Sequence, residues 1–476
     1  MNQNANDYLA REPVGRLMLK FSVPCILSLL VSALYNIVDQ IFIGRGVGYL
    51  GNGATNVVFP ITVIALALAL LIGDGCAAYL SICQGMKNEE RAHKCVGNAV
   101  VMSTAAGLLL TAAFLFLKEP MLAWFGATEN NIAYAKEYFE SLVIGIPFFL
   151  FANAMNSIIR ADGSPQFAML STLAGCIINV VLDPIAIFVL HWGMMGAAVA
   201  TVAGQAVSAL LAVCYLLHTK SFRLRKSSFR PRAGLFRHML PLGVSSFLTQ
   251  VSIVVIMIVM NNVLVTYGAR SKYGADIPLT VVGIVMKVFQ IVISVVVGIA
   301  AGAQPIVGYN YGAGQYGRVK EIFKKMMLAE FVTGLVSCIG FEFFPLKIIG
   351  IFGSENGLYN EFAVLSFRVF LGMIVLCCLQ KAASIFLQSL GKPLLSMSLS
   401  LLREFVLSVP LALILPGLFG VTGALYSAPA ADIVSFAAAV LCIAHVFREM
   451  KTEEKKLEEK KLEEPLKTSV CLSILE

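Results

Sequence analysis

Apolar runs long enough to cross about 30 Å of hydrocarbon, which takes roughly 20 helical residues, begin near residues 17, 54, 95, 133, 166, 195, 239, 278, 321, 361, 394 and 421. That pattern predicts an all-α polytopic membrane protein with twelve transmembrane helices. The polar segments between the runs alternate in character. "QGMKNEERAHK", "TKSFRLRKSSFRPRAGLFRH" and "YGAGQYGRVKEIFKK" are basic, whereas the segments around Arg45, Lys118 and His191 hold few cations. By the positive-inside rule both termini are cytoplasmic. The first run, about Leu17 to Ile43, is too long for a signal-peptide core and lacks a small-residue cleavage site after a short core, so it is expected to stay in the mature protein.

Residues about 227 positions apart match along nearly the whole chain. Gly75 pairs with Gly302, Gly85 with Gly312 and Arg91 with Arg318. "GSP" at 163–165 pairs with "GKP" at 391–393, and "WGMMGAA" with "FGVTGAL". Pro24 falls near Pro241 and Pro184 near Pro410. Each match is weak alone, but their common order predicts two six-helix lobes related by parallel duplication. Because six is even, the lobes enter the membrane in the same sense, about an axis along its normal, as in alternating-access carriers. The expected division is an N-terminal lobe over 1–218, a basic cytoplasmic linker over 219–238, a C-terminal lobe over 239–447 and a charged cytoplasmic tail over 448–476. The tail's "EEKKLEEKKLEEPLK" is a five-residue repeat, read as a solvated tail or as a continuation of the last helix.

Composition agrees with the pattern: 58% of the 476 residues are hydrophobic, 13% are charged, and mean hydropathy is +0.81. The net charge of +8 sits in short loops and not along one face, so it reads as topology and not as a nucleic-acid surface. Of eleven cysteines, Cys25, Cys76, Cys176, Cys214, Cys338, Cys377 and Cys442 lie inside apolar runs and none has CxxC spacing, which argues against a disulfide framework or zinc site.

In so apolar a chain, a carboxylate within a span demands explanation, because it costs on the order of 2.5 to 3.5 kcal/mol even on insertion scales. Asp183, in "GCIINVVLDPIAIF", lies about seven residues from the outer end of the fifth helix, with Asn179 one turn away on the same face. Asp39, in "SALYNIVDQIFIG", is about four residues from the outer end of the first helix, and Thr201 about six from that of the sixth. At 1.5 Å per residue these depths agree within roughly 5 Å, so one site can hold all four. Two carboxylates, an amide and a hydroxyl are hard oxygen ligands suited to sodium, and crowded carboxylates also suit proton exchange. The plainer reading makes Asp39 and Asp183 helix-end groups in contact with interfacial water. The repeat disfavours it by placing Ile256 and Leu411 near the equivalent positions.

"ALYNIVDQIFIG", "GCIINVVLDPIAIF", "GAAVATVAG" and "IIRADGSP", in this order in a doubled six-helix chain, resemble the multidrug and toxic compound extrusion (MATE) family, close to its DinF-like, MepA-type bacterial branch. The resemblance covers about residues 12–450. It implies that the N-terminal acidic cluster binds the coupling cation, at Asp39, Asn179, Asp183 and Thr201, with Tyr35 in the same neighbourhood. It also implies that Pro24 is a hinge of the first helix. Independently, a proline inside a helix removes a hydrogen bond and permits a kink, although Pro24 also reads as the end of a juxtamembrane turn. Some other MATE branches place carboxylates in the seventh and tenth helices, where this chain has Thr249 and Gln250, then Cys377 and Cys378. That departure puts a coupling site in the second lobe in doubt.

In the second lobe Lys287, Lys381, Arg403, Glu404 and Asp432 also fall inside apolar runs. Arg403 and Asp432 sit at middling depth on adjacent helices and are expected to pair. Lys287 either neutralises an acid such as Glu330 or lines a cavity. Asp74 is flanked by glycines that suggest tight helix packing. Phe148, Phe149, Phe151, Asn153 and Asn156 in the fourth helix, with Gln250, Met257 and Met260 in the seventh, are either cavity lining or ordinary packing, since thioether and aromatic groups repack around varied ligands.

These readings point to a secondary antiporter that exports amphipathic, cationic organic compounds in exchange for protons or sodium, and not to an enzyme. No G-x-x-x-x-G-K-[ST] loop is present, so an ion gradient is the expected energy source, with no cofactor. The expected partners are small organic substrates and the bilayer, without nucleic acid or an obligate protein partner. A flippase for lipid-linked precursors is the alternative carrier. An intramembrane enzyme built on Asp39 and Asp183 lacks flanking catalytic motifs, and a channel lacks a filter-like loop.

Overall fold

The computed structural model describes residues 7–125, 131–274, 276–351 and 357–473, and every regular element among them is helical. The spans of the first lobe are α1 (Val14–Gly46), α2 (Tyr49–Gly85), α3 (Glu89–Phe116), α4 (Ile132–Ala161), α5 (Pro165–Pro184) and α6 (Gly193–Leu217). Those of the second are α7 (Ala233–Gly268), α8 (Asp276–Gly312), α9 (Tyr316–Phe343), α10 (Gly357–Phe370 and Ile374–Ser389), α11 (Pro393–Phe419) and α12 (Val421–Ser473). These are the twelve spans expected from the apolar runs, with three differences of detail.

The tenth is bent by 44° between its two parts, where a Cβ on Gly372 would lie 2.6 Å from the Arg368 carbonyl oxygen. The seventh begins at Ala233, so residues 233–238, expected in the linker, are helical. The last helix runs on to Ser473, which decides for the charged repeat as a helical continuation.

Local chemistry sets the helix starts. Asn88 caps α3, its side chain accepting the Arg91 N–H at 3.0 Å, with Glu89 and Glu90 in the first turn against the positive end of the helix dipole. In the repeated "GSP" and "GKP" turns, Gly163 and Gly391 take left-handed φ of +82° and +72°, and Pro165 and Pro393 open α5 and α11.

The seam between lobes follows the duplication residue by residue. A Cβ on Gly75 of α2 would strike the Met239 carbonyl of α7, and one on Gly302 of α8 would strike the Ser22 Cα of α1. One turn deeper, Gly243 of α7 meets Leu71 of α2, and Gly298 of α8 meets Ile26 of α1. Gly85 and Gly312, themselves repeat partners, pack α2 directly on α8 against the Tyr309 and Ile82 carbonyls. Glycine is needed at these crossings because apolar lipid gives helices no hydrophobic drive to associate, and close backbone approach supplies the dispersion energy instead.

All of these crossings lie in the halves of the helices nearest the linker and the N-terminal segment, here called the terminal face. In the opposite half, Gly283 of α8 has nothing within 4 Å, and Lys287 and Gln290 beside it are exposed. At the terminal face each segment that precedes a lobe binds the other lobe. Asn310 donates to the Leu9 carbonyl at 3.1 Å and Arg318 to the Glu12 carbonyl at 2.8 Å. Reciprocally, the linker rests on the first lobe: Asn98 donates to the Ser228 carbonyl at 3.2 Å and accepts the Arg232 N–H at 2.9 Å.

Candidate cation site in the first lobe

The α5–α6 contact is built from small residues. Ser171 and Ser208 exchange hydrogen bonds, each hydroxyl donating to the other's carbonyl, at 3.1 and 2.9 Å. One turn further, Gly175 and Gly204 meet backbone to backbone, with no room for a Cβ on either. This approach sets Asn179 against Thr201: the amide nitrogen lies 3.2 Å from Thr201 Oγ1 and 3.4 Å from Asp183 Oδ1.

Beyond Asp183 comes Pro184, which has no N–H to continue the ladder, and the next residues, Ile185–Val189, form a wider π-helical turn. The end of α1 rests on that turn, because a Cβ on Gly46 would collide with Ile187. The docking carries Asp39, two turns back along α1, to Asp183, and the two carboxyl groups lie within hydrogen-bonding reach of each other. Tyr35, one turn before Asp39, is within electrostatic reach of Cys176, Asp39 and Asp183.

The structure therefore brings Asp39, Asn179, Asp183 and Thr201 together. Asp183 is fully buried and Asp39 is 8% exposed, which argues against both as helix-end groups bathed in interfacial water. Asp39 Oδ1, Asn179 Oδ1 and Asp183 Oδ2 are buried and receive no hydrogen bond. Three donorless oxygens in one cluster are costly unless a proton or a small cation answers them. Gly204→Val is expected to part α5 from α6 and, where the cluster holds a cation, to weaken its binding about tenfold or more by loss of the supporting contacts that hold ligands in place. Isothermal titration with sodium, and with acid, checks this.

Two residues of this neighbourhood escape a reading by depth. Tyr138 of α4 is buried within electrostatic reach of Asp39, Tyr35 and Asp183. Gln205, one turn along α6 from Thr201, has its Oε1 buried without a donor. The helical spacing of four from Thr201 is a signal for Gln205; Tyr138 carries none in the sequence.

Pro24 lies inside an unbroken α1, ten residues past its start, so it does not end a juxtamembrane turn. The Ser28 hydroxyl donates to its carbonyl at 2.8 Å. Of the expected cavity residues, Asn156 is committed to packing, donating to Thr172 Oγ1 at 2.7 Å and accepting from Arg160 at 3.0 Å. Asn153 donates to the Phe149 carbonyl of its own helix at 2.8 Å, and Phe149 packs on an apolar cluster of the first lobe. Met260 is buried in the second lobe's core, whereas Met257 and Lys287 are exposed and Gln250 is half-buried. Lys287 does not pair with Glu330, both of whose carboxyl oxygens are buried without a hydrogen-bond partner.

The second lobe holds a different polar cluster. Arg403 Nε meets Asp432 Oδ1 at 2.9 Å, the pair expected from sequence, and Nη1 meets Glu404 Oε1 at 2.8 Å. Lys381 closes on the same Glu404 oxygen at 2.7 Å, and Arg403 Nη2 donates to Cys377 Sγ at 3.1 Å. Two cations and two anions balance, so this is a neutral, internally satisfied network.

The MatE family model matches the chain over residues 24–185 and 241–414, one segment in each lobe. The multidrug export protein MepA of Staphylococcus aureus (strain N315) is 24% identical over 448 residues, covering 94% of this chain and 96% of that protein. The protein of the same name from Staphylococcus saprophyticus is 24% identical over 455 residues, with 94% and 97% covered. Among solved structures, one described as the outward-facing conformation of a multidrug resistance MATE family transporter superposes with a TM-score of 0.87 at 23% identity, covering 93% of this chain and 98% of that one. Another, a MATE in the bent conformation, gives 0.86 at 23% identity, with 94% and 98% covered. With its doubled six-helix fold and the family's match in both halves, the chain belongs to the MatE family of multi-pass membrane transporters and is not an enzyme.

Proposed function

We propose that this transporter is a secondary antiporter that exports amphipathic, cationic organic compounds in exchange for protons or sodium by alternating access. The observation that carries the reading is the buried cluster of Asp39, Asn179, Asp183 and Thr201 with its three donorless oxygens. A cation bound there changes the charge of the first lobe, and with it the relative stability of lobe arrangements that favour or disfavour an organic cation. Each ligand then shifts the other's equilibrium by the same factor.

On this reading the terminal face is cytoplasmic, in accord with the basic residues between Lys220 and Arg237, and the protein sits in the bacterial plasma membrane. The glycine crossings close that side, which corresponds to an outward-facing state. Drug export is favoured over a lipid-precursor flippase by the relatives' description as multidrug export proteins.

The test is transport of ethidium by the purified protein in liposomes under an imposed sodium or proton gradient. Movement driven by one gradient and collapsed by its dissipation identifies the coupling ion. Ethidium flux indifferent to both gradients overturns the antiporter.

A further inference from the structure

We infer that Asp74 and Ser246 form a polar clasp between the lobes that biases the transporter toward closure of the terminal face. Asp74 of α2 lies between Gly73, which packs on Ala154 of α4, and Gly75, which packs on Met239 of α7. Its two carboxylate oxygens are divided between the lobes. Oδ1 accepts the Ser157 hydroxyl of α4 at 2.7 Å, and Oδ2 accepts the Ser246 hydroxyl of α7 at 2.8 Å.

Each serine is polarised from behind. Arg160 Nη2 donates to Ser157 Oγ at 2.9 Å and stands 3.9 Å from Asp74 Oδ1, while Gln388 Nε2 of α10 donates to Ser246 Oγ at 3.3 Å and to the Leu242 carbonyl at 2.6 Å. The chain of donors thus runs from Arg160 and from Gln388 inward to one carboxylate, and Ser157 and Gln388 are nearly fully buried. Such chains strengthen their members where the dielectric is low.

The duplication supplies an internal control. By the offsets that pair Gly75 with Gly302 and Pro24 with Pro241, Asp74 corresponds to Ala301 and Ser246 to Leu29. The α8–α1 flank achieves the same glycine crossings with an apolar pair at those positions, so helix packing alone does not require the carboxylate. Its own-lobe partners, Ser157 and Arg160, remain with Asp74 when the lobes part, and only the Ser246 bond is surrendered. A bond that can be given up without stranding a bare charge is reversible, as a gate requires.

The inference rests on the alternating-access reading, but its test does not use substrate. Spin labels introduced through unnatural amino acids at exposed Glu89 and Lys324, one on each lobe at the terminal face, report the distance between lobes in liposomes. Ser246→Ala and Asp74→Asn are each expected to raise the ratio of open to closed populations about tenfold, the usual weight of one hydrogen bond to a charged group. The double variant is expected to go no further than the larger single effect, because Ser246→Ala removes the same bond that Asp74→Asn deprives of its charge. Ala301→Ser on the apolar flank is the control and is expected to leave the ratio unchanged.

Unchanged populations in both single variants, or additive effects in the double, overturn the clasp. Absence of gradient-driven transport in the wild type instead counts against the antiporter, and leaves the distance measurement readable.

Discussion

Asp39→Asn and Asp183→Asn are each expected to lower gradient-driven ethidium export about 5- to 150-fold while leaving the protein folded. Removing either carboxyl takes one acidic group from a cluster in which Asp183 is fully buried and Asp39 nearly so. Coupling between two ligands commonly amounts to about 5- to 150-fold in affinity, and the coupled fraction of transport should fall by a factor in that range. Asn preserves the volume and most hydrogen bonds, so apparent melting temperature should change little. Flux in reconstituted liposomes under both gradients is the measurement. If both variants retain wild-type coupled flux, the cluster is structural and the coupling site lies elsewhere.

The second large effect is expected in the other lobe, on stability. Arg403→Met leaves Asp432 without its guanidinium partner and Glu404 with Lys381 alone, inside a core that excludes water. Breaking a buried ion pair by deleting one member costs about 3 to 5 kcal/mol, because the surviving charge is stranded. The double variant Arg403→Met with Asp432→Leu removes both charges and keeps the Lys381–Glu404 pair, so it should recover most of the loss. Unfolding of large membrane proteins is often irreversible, so half-life at a fixed temperature in detergent is the proper readout. A double variant as labile as the single would mean that the network's charges are not what the core depends on.

The two clusters show how far a linear reading reaches. Asp39, Asn179, Asp183 and Thr201 were legible because each is a polar group at matched depth in an apolar run, and depth along a helix is a count of residues. Arg403 and Asp432 were legible for the same reason, and so were Lys381 and Glu404 as charges inside apolar runs; that these two and Cys377 complete one network with Arg403 was not. Depth alone does not say which way a helix faces. Tyr138 illustrates the limit: nothing in its neighbourhood of the sequence separates it from the other aromatic residues of α4. Lys287 illustrates the converse: a charge in an apolar run read either as the partner of an acid such as Glu330 or as cavity lining, and the structure leaves it exposed and unpaired with Glu330.

The sequence by itself determined the number of spans, their order, the duplication and the identity of the acids in the first lobe. These depend on hydrophobic length and on chemical type, which are properties of a segment alone. Tertiary structure decided which helices touch and at what rotation: that Gly175 meets Gly204 and so presents Asn179 to Thr201, that the π-helical turn after Pro184 receives the end of α1, and that Asp74 reaches Ser246 across the seam. In hydrocarbon, helix pairing is chosen by close packing of small residues and by satisfaction of a few polar groups, and both require the partner surface to be in place.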